Sequence, residues 1–164
     1  MSKQFWGFLL AGVAIVGVVV YLSLFANKSS HLELDGDILK VRVMALSPAA
    51  SLVVADFRVT NPSGLAFVVK SVKARLELKS GDALEAEPIS KVNLENVFKY
   101  EKLIGPQYNS ALTLRDAVPA HGTVDRMVGV RFEVPESAIE SRKALRLRIE
   151  EFDGPVAEIG EKKP

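Results

Sequence analysis

The chain has 164 residues, 21 Lys and Arg against 20 Asp and Glu, and no cysteine. Without cysteine there can be no disulfide, thiolate metal site, iron-sulfur cluster or cysteine nucleophile; a secreted eukaryotic domain more often carries a disulfide, so the composition tilts towards a prokaryotic source. The two charge signs are interleaved throughout, so no long-range field asks for nucleic acid or an acidic lipid surface, and phosphate binding is disfavoured.

Residues 1–4 form a short polar start. From Phe5 to Phe25 the chain then runs twenty-one residues without a charged side chain, between Lys3 and Lys28. As a helix this stretch reaches about 31 Å, close to the hydrocarbon thickness of a bilayer. It is longer than the apolar region of a cleaved signal peptide, and Leu24 occupies a position that cleavage reserves for a small residue. Residues 5–26 are therefore expected to be an uncleaved transmembrane anchor in contact with the lipid bilayer. Trp6 and Tyr21 lie near its opposite ends, at the level of the aromatic belt. Flanking Lys and Arg residues do not choose an orientation. A short polar start followed by a large domain has the shape of a signal anchor, which puts the amino terminus in the cytoplasm and the domain outside the cell membrane, in the periplasm.

After a linker at 27–31, residues 32–154 read as one domain of ordinary size. The Asp35-Gly36-Asp37 segment has the chemistry of a tight turn. Apolar and polar residues then alternate with the period of a half-buried strand. Leu39, Val41 and Val43 begin the series; Val53, Ala55, Phe57 and Val59 continue it, with Asp56, Arg58 and Thr60 on the wet side. Turn chemistry at Asn61-Pro62-Ser63-Gly64 ends that run. The next runs are Phe67 to Val69 and Val72 to Leu78, the latter closed by Ser80-Gly81-Asp82. Val128 to Val134 and Leu145 to Ile149 follow the same pattern. Shorter strand candidates are Leu32 to Leu34, Ile89 to Leu94 and Ala111 to Leu114. Helical spacing is predicted over Glu136 to Lys143, and Leu94, Val97 and Phe98 allow an alternative helix over Asn93 to Ile104. The tail at 155–164 shows no apolar pattern and is expected to be flexible. Strands in sequence without crossover helices imply antiparallel pairing in two sheets packed by their dry faces. The expected class is all-β, an immunoglobulin-like antiparallel β-sandwich preceded by one transmembrane helix.

The run from Asp56 to Val69, in which a strand ends at Asn61-Pro62 and the chain returns through an apolar strand to Leu78, resembles the late-embryogenesis-abundant type 2 domain, also called the water-stress and hypersensitive-response domain. Gly129 to Pro135 is similar to the closing strands of such bacterial immunoglobulin-like domains. The resemblance spans residues 38 to 134 in layout, and its motif-like part is Asn61 and Pro62 with their flanks. It implies a small sandwich without catalytic residues, often membrane-tethered, associated with stress protection or binding.

Chemistry-bearing patterns are sparse. His31 and His121 are ninety positions apart with no metal-ligand spacing, and no nucleophile elbow or Gly-rich phosphate loop occurs. No cofactor and no small-molecule substrate is indicated. The distinctive segment is Val97 to Ser110, where Phe98, Tyr100, Leu103, Ile104 and Tyr108 gather with weak strand character. Tyrosines and aliphatics on a loop suit a protein partner. Equally, Phe98, Leu103 and Ile104 could cover the open end of the sandwich as core. The functional expectation is a non-enzymatic, single-pass anchored interaction module, such as an accessory subunit of a larger membrane complex, with stress protection as the alternative.

Overall fold

The computed structural model describes residues 12–21, 33–152 and 154–161. Residues 12–21 are helical (α1), and the large apolar side chains from Val13 to Tyr21 are more than half exposed. The remainder of the expected 5–26 span, with Trp6, lies outside the described residues. Among the described residues, no helix is long and apolar enough to cross a membrane.

The rest is built on strands: β1 (Asp35–Ser47), β2 (Ala50–Thr60), β3 (Phe67–Glu77), β4 (Ala83–Ala86), β5 (Ser110–Ala111), β6 (Ala117–Val118), β7 (Thr123–Phe132), β8 (Ala144–Glu151) and β9 (Val156–Glu161). Two helices interrupt them, α2 (Lys91–Tyr100) and α3 (Glu136–Glu140), with a single 3-10 turn at Lys102–Ile104. The strands form one curled sheet in the order β4-β3-β8-β9-β1-β2-β7-β5, with β6 paired to β3 beside the main path. The two separate sheets expected of a sandwich are continuous here through the β9/β1 pairing, which is parallel, as is β5/β7. The other ladders are antiparallel, as the lack of crossover helices requires.

The main core lies inside the curl. Phe67, Val69, Leu76, Leu147, Ile149 and Ile159 come from one half of the sheet and meet Val53, Phe57, Val59, Val128 and Val130 from the other. These are the alternating positions of the sequence, and the alternation works because every second side chain points into the curl. Phe67 to Val69 and Val72 to Leu78 prove to be one strand, β3, with a register shift between Val69 and Ser71 where it pairs with β8.

Several expectations are corrected. Asp35-Gly36-Asp37 is not a turn but the start of β1, and Gly36 is required there because a Cβ would collide with the Arg58 carbonyl oxygen of β2. The β1–β2 hairpin turns instead at Pro48 and Ala49. Ile89 to Leu94 is not a strand; Ser90 caps α2, its Oγ accepting the Asn93 N–H at 3.2 Å, and this local bond wins over strand propensity. Most of the 155–164 segment is not a free tail: Val156–Glu161 is β9, inserted between β8 and β1, with Ala157 and Ile159 buried, and 162–164 lie outside the described residues. Glu161 also holds Arg142 in an ion pair.

Asn61 is fully buried and knits two loops together. Its Nδ2 donates to Leu65 O at 2.7 Å and Val118 O at 3.1 Å, while its Oδ1 accepts the Ser63 N–H at 3.0 Å. Its own N–H donates to Gly122 O at 2.9 Å. Asn61→Ala removes three hydrogen bonds, two of them buried, and is expected to cost about 2–3 kcal/mol, read as a lower denaturant midpoint with an unchanged slope.

On the outer face of the same end, Arg58 and Asp125 are directly opposed across β2/β7 and form a two-pronged pair at 2.6 and 2.8 Å. The hydrogen bond from Arg58 holds the Asp125 carboxyl below its ordinary range. Bonds from Lys70 and then Ser71 do the same for Glu150. A carboxylate depressed in the folded state contributes stability above its unfolded pKa and loses it as pH falls through the folded value. Stability is therefore expected to drop on acidification below about pH 4, and Asp125→Asn to flatten that acid limb in a thermal melt series.

Candidate functional site

The outer face of β1, β2 and β7 is covered, and this is what the alternating pattern concealed. Strand β2 is buried on both faces, since Leu52 and Val54 point away from the main core into a second cluster with Met44, Leu94, Ile104 and Met127. Helix α2 lies on this face because its apolar residues recur at helical spacing: Leu94, Val97 and Phe98 all join the cluster. Its close approach depends on Gly129 of β7, where a Cβ would come within 2.6 Å of the Leu94 Cδ1. The helix ends at Tyr100, the chain tightens through Lys102–Ile104, and Gly105, at φ 81°, turns it back.

The returning loop is held by a buried ion pair. Arg42 of β1 donates from Nη2 to Asp56 Oδ2 of β2 at 2.7 Å, with side chains only 9% and 4% exposed. From Nη1 the same guanidinium donates to Ile104 O at 3.0 Å and Pro106 O at 2.8 Å. The second Asp56 oxygen accepts Asn109 Nδ2 at 2.9 Å. The Phe98 and Tyr108 rings flank the guanidinium, with centroids 5.1 and 5.2 Å away. One carboxylate and one guanidinium thus fasten both ends of the 98–109 segment to two strands. Among the described residues, Arg42 Nε is the one buried side-chain nitrogen or oxygen without a hydrogen-bond partner. Neither Arg42 nor Asp56 stood out in the sequence, where both occupy positions read as wet.

The five residues singled out in this segment divide. Ile104 is buried and Phe98 half-buried, so these two pack against the sheet; they cover its outer face, not the open end of a sandwich. Tyr100, Leu103 and Tyr108 are 69, 91 and 58% exposed. Cations accompany both tyrosines, Lys99 at 5.2 Å from the Tyr100 ring and Lys40 at 4.9 Å from that of Tyr108. The result is a covering segment, tied to the sheet through Arg42 and Asp56, that displays two tyrosines and a leucine. Asn61 and Pro62 lie elsewhere, in the structural turn described above. His121 is an exposed turn residue at φ 54°, and His31 and Trp6 lie outside the described residues.

A cleft of about 520 Å³ opens between β3 and the segments 87–91 and 112–114. Its Ser71 hydroxyl is bonded to Glu150 Oε2 at 3.1 Å, and Lys70 to Glu150 Oε1 at 2.8 Å. A carboxylate held low by these donors is a weak base, so the trio reads as an ion pair with a buttress. Among the described residues no group of three or more His, Asp or Glu side chains could hold a metal ion. No family model and no curated protein matches the chain.

Removing one member of the Arg42–Asp56 pair leaves the other charge buried and is expected to destabilise by about 3–5 kcal/mol, whereas replacing both with apolar residues of similar volume recovers most of that loss. Chemical denaturation of Asp56→Ala, Arg42→Met and the double variant Arg42→Met with Asp56→Leu measures this directly.

Proposed function

We propose that the protein is a non-enzymatic, single-pass membrane-anchored β-module whose exposed platform, Tyr100, Leu103 and Tyr108, binds a protein partner at the membrane surface. The observation that carries this reading is Leu103, 91% exposed yet mounted on a segment locked down by the buried Arg42–Asp56 pair. A large apolar side chain on a backbone already fastened in place leaves less ordering to be done on binding, as suits an interface anchor. Anchorage is supported by the uncharged run from Phe5 to Phe25 and by the exposed apolar surface of residues 12–21. The module is a variant of the immunoglobulin-like sandwich, its two layers fused along β9 and β1, and it faces the periplasm. An accessory role in a larger membrane complex is the form of this reading that uses both the apolar segment and the exposed Tyr100, Leu103 and Tyr108.

A second reading is stress protection of the late-embryogenesis-abundant type 2 kind. It is favoured by the Asn61 hub, which makes the Asn61-Pro62 turn a built element of the fold.

The test is extraction of the tagged full chain from native membranes in mild detergent, with mass spectrometry of what accompanies it. Stoichiometric membrane partners are expected, and Leu103→Asp combined with Tyr100→Ala is expected to lower their recovery at least about tenfold, as loss of a hot spot of about 2 kcal/mol or more does. Undiminished recovery would remove the platform from the account. A clean monomer that protects a test enzyme during drying would favour the second reading.

A further inference from the structure

The strand register fixes which end of the domain faces the apolar segment. Strand β1 starts at Asp35, which pairs with Thr60, and Thr60 pairs with Thr123, so the 61–66 and 119–122 loops share that end. The register of β9, parallel to β1 with Gly160 beside Asp37, places Val156 ahead of the Asp35 level; the β8–β9 turn therefore projects from the same end. On these loops Leu65 and Phe152 are 48 and 49% exposed. They come from chain segments far apart, yet the Phe152 N–H donates to Val68 O at 3.3 Å, three residues beyond Leu65. Pro62 and Pro119, both exposed, flank them.

Seven residues, 26–32, separate the apolar stretch from Glu33, and fully extended they reach at most about 25 Å. Leu34 is already buried in the core, so the end of the domain where β1 starts stays within about that distance of the apolar segment. We infer that this end of the domain rests on the bilayer into which the chain's own apolar segment inserts, with Leu65 and Phe152 dipping into the headgroup–acyl boundary. The occupant of this apolar end is the lipid surface itself. Exposed charges nearby are of both signs, Glu33 and Asp35 against Arg115, with Lys70 paired to Glu150, so apolar insertion and not headgroup charge drives the contact. The inference rests on the anchored reading above. It adds an orientation: the domain sits upright, with the β1–β2 turn farthest from the membrane and the Tyr100 and Leu103 platform facing sideways.

The absence of cysteine allows single labels at chosen positions. The full chain is reconstituted into phosphatidylcholine vesicles as Leu65→Cys, Phe152→Cys, Leu46→Cys and Val16→Cys, each carrying an environment-sensitive fluorophore, and quenching by lipids brominated near the headgroup end of the chain is compared. Leu46 is a control, 47% exposed at the opposite end of the domain, and Val16 reports on the apolar segment. Quenching at 65 and 152 several-fold stronger than at 46, with strong quenching at 16, supports the inference. Quenching at 16 with 65 and 152 no different from 46 overturns the docked end and leaves the anchor standing. No quenching at 16 overturns both. Two independent reporter positions, each checked for retained β-sheet circular dichroism, separate a failed contact from a misfolded variant.

Discussion

The outer half of this structure depends on a single guanidinium–carboxylate contact. Two charges withdrawn from water are tolerable when they face each other and most of their donors and acceptors find further partners, as all but Arg42 Nε do here. Here Asp56 meets Arg42 and Asn109, and Arg42 also reaches the Ile104 and Pro106 carbonyls. Those carbonyls belong to a short 3-10 turn and a loop, elements that bury too little apolar surface to hold themselves. The ion pair supplies the fixed points, and α2, anchored at its other end by the Ser90 cap and by Leu94 over Gly129, is held between them. The segment that displays the two tyrosines and the leucine is therefore fastened to the sheet by two residues beneath it.

Much of the sheet was legible because alternation has only one cause when it recurs strand after strand. Val53, Ala55, Phe57 and Val59 face the core as their spacing demanded, and so do Leu145, Leu147 and Ile149. The failures have physical reasons too. β9 carries only Ala157 and Ile159 as buried apolar residues, too few to stand out in sequence, and it is stabilised by neighbours on both sides that only the fold brings together. Gly36 looked like a turn because glycine serves both turns and close backbone approach, and composition alone does not separate the two uses. The Ile89 to Leu94 run had strand propensity, and one serine hydroxyl decided the matter.

The site was less legible than the fold. Phe98, Tyr100, Leu103, Ile104 and Tyr108 were found by crowding, yet crowding cannot tell a residue that packs from one that displays. Ile104 packs and Leu103 displays, although they are adjacent, because a 3-10 turn sends successive side chains in different directions. Arg42 and Asp56 were invisible for a deeper reason. A charged residue in an alternating strand reads as solvent-facing unless something covers that face, and the loop that covers Asp56 and Arg42 lies 53 and 64 residues further along the chain. The only sequence sign was the helical spacing of Leu94, Val97 and Phe98, which required an apolar surface somewhere to receive it.

Native-state hydrogen exchange of the full chain, comparing wild type with Asp56→Ala, tests the central claim most directly, because it resolves where the pair acts and not only how strongly. The account predicts that wild-type amides of α2 and the Lys102–Ile104 turn are protected nearly as well as those of β2 and β7, and that the variant loses protection selectively over residues 94–109 while the inner core stays closed. Loop-like exchange of α2 in the wild type, or a uniform loss of protection over the whole sheet in the variant, would contradict it.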